Sequence, residues 1–193
     1  MSKIEANTID SVSGTSTLTL GSSNASTITK ASGVNANFAG LSVADEWYVS
    51  SSFTVSASTM SVVSSNWTRN DNGNIGTNMS QSSGVFTFPS TGIYLITYQH
   101  SMYKDGDSRH SEIQIQTSSD SGSSFSTIGS ADAFVQQTSG NNTHASWSVS
   151  LMHDVANAST HRARFRVQHT GSSVTNYAGK GRIQATFIRL GDT

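Results

Sequence analysis

The sequence predicts an all-β protein, a sandwich with an N-terminal β-rich extension, on three observations. Of 193 residues, 60 are Ser or Thr, and 3 Trp, 5 Tyr and 8 Phe sit among many Val and Ile, types that fit a pleated, half-buried surface. From Val62 onward, short apolar-polar alternations bounded by Gly, Asn and Asp recur at intervals of about 10 to 15 residues, and no segment carries a helical period. Charged residues are only 12% of the chain, whereas disordered chains are usually highly charged and poor in aromatic and β-branched residues.

The same composition excludes several classes of function. With no cysteine there are no disulfides or thiolate metal sites, and no run approaches the ~18 apolar residues of a membrane span. A net charge of −1 without a basic stripe argues against a nucleic-acid binder. The opening Met-Ser-Lys-Ile-Glu lacks the apolar core of a secretory signal, so the expected site of synthesis and assembly is the cytoplasm.

Two regions are expected, a Ser/Thr-rich stalk over 1–58 and a sandwich head over 59–193. In the stalk, isolated apolar residues stand at Ile4, Ile9, Val12, Leu18, Leu20, Ile28, Val34, Phe38 and Leu41, with period-two alternation around Leu18, Leu20 and Ile28 and glycines at 14, 21, 33 and 40. So few side chains cannot cover a core within one chain. Two readings fit: a flexible tail, or strands that bury Leu18, Leu20 and Ile28 against identical copies of themselves. The regular spacing favours the second. Residues 43–58 are expected to give one or two strands, with Trp47, Val49, Phe53 and Val55 as their apolar set, and to join stalk to head. Head strands are expected at 62–68, 84–88, 92–103, 110–117, 125–128, 132–137, 144–153, 162–169 and 181–190. Turn clusters lie at Asn70–Asn74, Lys104–Asp107 and Ser139–Asn142, where Gly, Asn and Asp tolerate positive φ or form side-chain turns.

The segment Gly84-Val85-Phe86-Thr87-Phe88-Pro89-Ser90-Thr91-Gly92-Ile93-Tyr94-Leu95-Ile96-Thr97-Tyr98 resembles the signature of the C1q/tumour-necrosis-factor-like jelly roll. In that signature G-x-F-T-x-P, a short turn and G-x-Y-x-[FI]-x-[YF] lead into an inner-sheet strand. Trp67-Thr68-Arg69-Asn70 and Ala185-Thr186-Phe187-Ile188-Arg189-Leu190 are similar to the family's early and closing strands. Pro89, the single proline, falls where a strand must end because it cannot donate to a ladder. Parity in the strand after Gly92 sends Tyr94, Ile96, Tyr98, His100 and Met102 to one face and Ile93, Leu95, Thr97, Gln99 and Ser101 to the other. Both faces begin apolar, and a sandwich buries only one face of each sheet, so a neighbouring subunit is expected on the other. The resemblance implies a homotrimer, with Tyr94, Tyr98, Phe187 or Leu190 near its axis.

The opening residues, from Ser2-Lys3-Ile4-Glu5 to Thr17-Leu18-Thr19-Leu20-Gly21, resemble the start of tail-fibre and structural proteins of marine bacteriophages, especially those infecting cyanobacteria. That resemblance implies a virion protein, carried on the outside of the particle and attached to other virion proteins through its N-terminal region.

Candidate chemistry is sparse. Ser118-Ser119-Asp120-Ser121-Gly122-Ser123-Ser124-Phe125 matches the Asp-box hairpin of sialidases, but a propeller does not fit in 193 residues, so Asp120 and Phe125 are expected to form a turn. Arg162, Arg164 and Arg166 alternate with Ala163, Phe165 and Val167, which places three guanidinium groups on one face. That face is either an anionic-ligand surface or an ordinary strand face paired across to Glu112, Gln114 and Gln116. The six histidines show no ligand spacing, so neither a metal site nor a cofactor is expected. Asp105 with Asp107, and Asp71 with Asn72 and Asn74, cluster hard oxygens that suit calcium but equally suit turns. Trp67 and Tyr103 are candidates for stacking on sugars, against the core or the subunit seam as the place for Trp47, Trp67 and Trp147. With no G-x-S-x-G elbow and no paired-carboxylate signal, no enzyme is expected. The expected function is a trimeric phage fibre protein whose head meets host-surface glycan or protein. The alternative is a capsid-decorating fibre or cement protein without a receptor.

Overall fold

The computed structural model describes residues 41–137 and 140–193. Expectations for residues 1–40, including Leu18, Leu20 and Ile28, lie outside the described residues. In chain order the strands are β1 (Val43–Val49), β2 (Phe53–Thr54), β3 (Ser61–Val62), β4 (Trp67–Arg69), β5 (Ile75–Gly76), β6 (Ser80–Ser82), β7 (Val85–Thr87), β8 (Gly92–Lys104), β9 (Ser108–Ser118), β10 (Ser126–Val135), β11 (Thr143–Val155), β12 (Arg162–His169), β13 (Thr175–Asn176) and β14 (Gln184–Gly191). No helix occurs among the described residues. An eight-stranded sheet runs β2-β13-β8-β14-β1-β4, with β11 along the other side of β8 and β5 beside β1. A six-stranded sheet runs β10-β9-β12-β7-β6, with β3 on β12. All the pairings described are antiparallel.

The two sheets pack face to face, each contributing alternate residues to the core. Tyr94, Ile96 and Tyr98 of β8 and Ala185 and Phe187 of β14 are fully buried, as are Ile113 and Ile115 of β9, Ala163, Phe165 and Val167 of β12, and Phe86 of β7. Phe86 is the hub. Its ring lies 5.6 Å from Trp47, 5.2 Å from Trp67, 5.4 Å from Phe165 and 5.2 Å from Phe187. Three of these four contacts are edge-on or T-shaped, the arrangement that suits the ring quadrupole.

A buried carboxylate fixes the edge of the first sheet. Asp45 of β1, its side chain wholly buried, accepts from the backbone N–H of Met79 at 2.8 Å and from Trp47 Nε1 at 3.1 Å, and pairs with Arg69 of β4 at 3.2 Å. With several donors converging on it, this charge is compensated where a lone one would be costly. The guanidinium also lies over the Trp47 ring, 4.9 Å from its centre.

The glycines that frame the 84–98 segment have steric reasons. Gly84 has φ +77°, and a Cβ there would come within 2.3 Å of the Val63 carbonyl oxygen; Gly92 has φ +134°, and its Cβ would meet the Gly191 carbonyl oxygen at 2.4 Å. Between them Pro89 lies in the turn from β7 to β8, as expected.

Several expectations need correction. β1 pairs with β14 and β4 inside the first sheet, and its compact unit spans Ala39–Thr193, so residues 43–58 belong to the head and the boundary at 58/59 is too late. The strands expected there are β1 and β2, and Val43 and Val49 belong to the head core. The strand expected over 62–68 is two, β3 and β4, separated by a turn with Asn66 at φ 62°. The strands expected at 125–128 and 132–137 are one, β10, with a register shift at Gly129 between them. The short strands β5, β6 and β13 were not anticipated, because two or three residues carry no readable period.

Replacing the hub ring, Phe86→Ala, is expected to destabilise the domain by about 3–5 kcal/mol in chemical denaturation, the cost of removing a fully buried aromatic ring. A loss below ~1 kcal/mol would contradict the central role of this residue.

Candidate functional site

The alternation that fills the core leaves a second face of the first sheet without a cover among the described residues. Across β11, β8, β14, β1 and β5 the register aligns Met152, Leu95, Ile188, Ala44 and Ile75 in one continuous apolar row. Met152 is 70% exposed and Ile75 41%, while Leu95, Ile188 and Ala44 are half-buried. The next row is Ser150, Thr97, Thr186 and Glu46, and the one after it Ser148, Gln99, Gln184 and Tyr48. Thr97 and Ser150 hydrogen-bond across the strands at 2.6 Å, and Ser101 and Ser146 at 2.7 Å. Toward the far end an aromatic group closes the face. The Tyr103 ring lies 5.2 Å from both His144 and Tyr177, and the Arg182 guanidinium sits 3.5 Å over Tyr177. The face is therefore apolar in one row and mostly hydroxyl or amide in the next two, with Glu46 the single charge in these three rows.

This arrangement corrects the assignment of interface residues. Tyr94, Tyr98 and Phe187 point between the sheets and are fully buried within one chain, so they cannot meet a neighbour. Leu190 is 50% exposed and remains available, two residues beyond Ile188. Sequence reasoning missed Leu95, Ile188 and Met152 as a group because their alignment depends on the register of three strands far apart in the chain.

The Asp-box segment is a turn, as its structural reading holds. Asp120 accepts from the Ser118 hydroxyl at 2.6 Å, the Ser124 N–H at 2.9 Å and the Ser124 hydroxyl at 2.6 Å, and these bonds hold its carboxyl well below the usual range. Ser121 and Gly122 take positive φ. Phe125 does not plug the core. It lies on the outer face of the second sheet, 3.9 Å beneath the Arg164 guanidinium.

The three arginines share that outer face, with Ala163, Phe165 and Val167 buried behind them. Arg164 donates through Nε to Gln116 Oε1 at 2.7 Å, Arg166 to the Met60 carbonyl at 2.9 Å, and Arg162 to the carbonyls of Ser159 and His161 at 2.9 and 2.7 Å. Among the described residues no carboxylate pairs with any of them. Desolvation and the neighbouring Arg166 charge lower the pKa of Arg164. Trp67 is a core residue whose Nε1 donates to the Val63 carbonyl at 2.7 Å, so it is not a sugar platform. Asp105 and Asp107 accept from the Gln137 side chain and backbone at 2.8 and 2.7 Å, anchoring the end of the β10 segment to the β8–β9 turn. The fold also gathers His110, Glu112 and Asp132 on the outer face of the second sheet, a group not anticipated from spacing along the chain.

Two other histidines are buried in the sandwich and have a structural task. His100 Nε2 and His169 Nε2 both approach Asn176 Oδ1, at 2.7 and 2.8 Å. One carbonyl oxygen cannot donate, and Asn176 Nδ2 is committed to the Phe53 carbonyl at 3.1 Å, so each imidazole carries its proton on Nε2. Each Nδ1 then accepts, from the Tyr98 hydroxyl in His100 and from the Ser111 hydroxyl in His169, both at 2.8 Å. The network is complete only with both rings neutral. Burial pushes His100 from 6.5 down to about 3 and lowers His169 as well.

The sign of the pH effect follows. Between 6.5 and about 3 the unfolded chain holds a proton on His100 that the folded chain refuses, so this stabilisation is intact above 6.5 and is lost as pH falls toward 3. Denaturation midpoints are expected to fall over that window with a slope from His100 of at most about 1.4 kcal/mol per pH unit. His100→Gln should flatten the slope. An unchanged slope in that variant would sink the assignment.

No family model matches the chain, and neither does any curated protein. Solved structures do. Murine APRIL aligns with a TM-score of 0.55 at 9% identity, covering 77% of this chain and 98% of that one. The Eiger TNF from S. frugiperda aligns with a TM-score of 0.55 at 13% identity, covering 80% of this chain and 96% of that one. At such identities the likeness speaks to fold alone, and on that ground the described part of this chain is a tumour-necrosis-factor-like jelly roll.

Proposed function

We propose that the chain is a non-enzymatic, homotrimeric fibre-type protein of a bacteriophage virion, whose jelly-roll head takes part in recognition of the host surface. The observation that carries the trimer is the apolar row Met152–Leu95–Ile188–Ala44–Ile75 on a sheet face that no other described residue covers. Water-exposed apolar rows mark association surfaces. The occupant is a second copy of the same chain: the 84–98 segment resembles a superfamily of homotrimers, and the hydroxyl and amide rows beside the apolar one, with Glu46 their single charge, suit a like surface. Apolar residues at 1–40 that one chain cannot hide would be covered by the same association.

The virion role rests on the resemblance of residues 2–21 to phage fibre proteins and on a Ser/Thr-rich region preceding the jelly roll. On that reading the N-terminal region attaches to other virion proteins and the second sheet faces outward. Its outer face holds Arg162, Arg164 and Arg166 without carboxylate partners among the described residues, a surface that suits acidic groups of host polysaccharide or protein. Three linked heads gain by effective concentration even when each contact is weak.

Light scattering is expected to give three times the 20.4 kDa chain mass, and Leu95→Glu or Ile188→Glu to release monomer with an unchanged far-ultraviolet spectrum. A wild-type monomer at micromolar concentration would overturn the trimer. Immunogold labelling should place the protein on the virion exterior, and purified trimer should compete with phage for adsorption. Labelled virions without competition would favour a capsid-decorating or cement role. Adsorption unaltered by Arg164→Glu would remove the arginine face from consideration.

A further inference from the structure

We propose that His110, Glu112 and Asp132 form a site for a divalent transition-metal ion, with Zn2+ the fitting probe, on the outer face of the second sheet. His110 and Glu112 are two apart on β9, so both side chains leave the same face, and Asp132 of β10 is the direct cross-strand partner of Glu112. The register of β10 shifts between Ala133 and Val135, beside His110. There His110 Nε2 meets Asp132 Oδ1 at 3.0 Å, and one ligand atom from each of the three residues lies within 4.8 Å of the others. Ligands around a tetrahedral Zn2+ at about 2.1 Å lie about 3.4 Å apart, so small side-chain rotations close the set.

The charge pattern supports the same conclusion. Two carboxylates directly across a strand pair repel, and sheets normally avoid that arrangement. Among the described residues Glu112 accepts from an amide, Gln114 Nε2 at 2.8 Å, and its partner on the other flank is the uncharged Gln168 of β12. Among the described residues no Lys or Arg makes an ion pair with either carboxylate, although three arginines stand on the same face farther along β12. A divalent ion would neutralise the pair. One imidazole nitrogen with two carboxylate oxygens suits Zn2+ without any thiolate, which a chain lacking cysteine cannot supply. The side chains of His110 and Asp132 are 45% and 63% exposed, so the ion has a direct path from solvent and keeps coordination positions open to water. Bound there, it would also tie β10, the edge strand of its sheet, to β9.

Calorimetric titration of ZnCl2 into the full-length protein, free of any affinity tag, tests the site. Saturable binding of one ion per chain is expected, weakened roughly tenfold or more in His110→Gln and Asp132→Asn, since replacing even an outer partner of a metal ligand costs that much. No saturable heat, or undiminished binding in both variants, would overturn the proposal and place any ion elsewhere, for example at Asp105 and Asp107. A second readout does not depend on how the variants fold. The His110 imidazole nitrogen resonance of the wild-type chain should move on adding Zn2+, and an unmoved resonance during heat release counts equally against the site.

Discussion

The alternation of β8 is the constraint on which the rest of the molecule depends. This thirteen-residue strand pairs with β11 along one side and with β14 and β13 along the other, so its parity sets the parity of the sheet around it. Sending Tyr94, Ile96, Tyr98, His100 and Met102 inward commits Phe187 and Ala185 of β14 to the core beside them, and so requires that Leu95 and Ile188 face out together. A one-residue slip would exchange the two sets entirely. The fixed points at its start are steric: Gly92 takes a positive φ that brings its backbone against Gly191, and Tyr94 returns its hydroxyl to the Ser90 carbonyl at 3.0 Å.

With parity fixed, the two outer faces acquire different characters. The first sheet shows an apolar row, then hydroxyls and amides, with few charges to repel a copy of itself. The second sheet carries His110, Glu112, Asp132 and the three β12 arginines, and its polar groups are spread along its strands by sign, basic toward the start of β12 and acidic beside its end. A largely uncharged face and a charged face are thus separated by the thickness of one sandwich. The buried polar groups are held apart from both, with Asp45 satisfied at the sheet edge and the His100–Asn176–His169 network enclosed between the layers.

Much of this was legible along the chain where the signal is local. The 84–98 segment declares its turn, its proline and its strand, and the long strands from β8 onward fall close to where alternation puts them. Asp120 and its serines read correctly as a turn because the bonds of the Asp120 carboxylate run only to Ser118 and Ser124. The misreadings were non-local. The strand of Trp47 and Val49 looked like part of the stalk side of the boundary because its partners, β14 and β4, are supplied from elsewhere in the sequence. The strands read at 125–128 and 132–137 are one because a bulge near Gly129 interrupts the alternation between them. Tyr94, Tyr98 and Phe187 looked fit for an interface because both faces of β8 begin apolar and alternation alone does not say which one meets the other sheet.

The sequence by itself determined the class of fold, the strand-rich composition, the absence of disulfides and the pairing of each inward residue with its outward neighbour, since all of these follow from residue type and a period of two. Tertiary structure alone decided which parity is the core, and therefore that Leu95 rather than Tyr94 faces out. It also decided which distant strands stand side by side, and with that the apolar row, the two histidines on one asparagine and the His110–Glu112–Asp132 group. The physical reason is that a sheet face is assembled from register between strands, and register is set by packing across the sandwich rather than by any single strand.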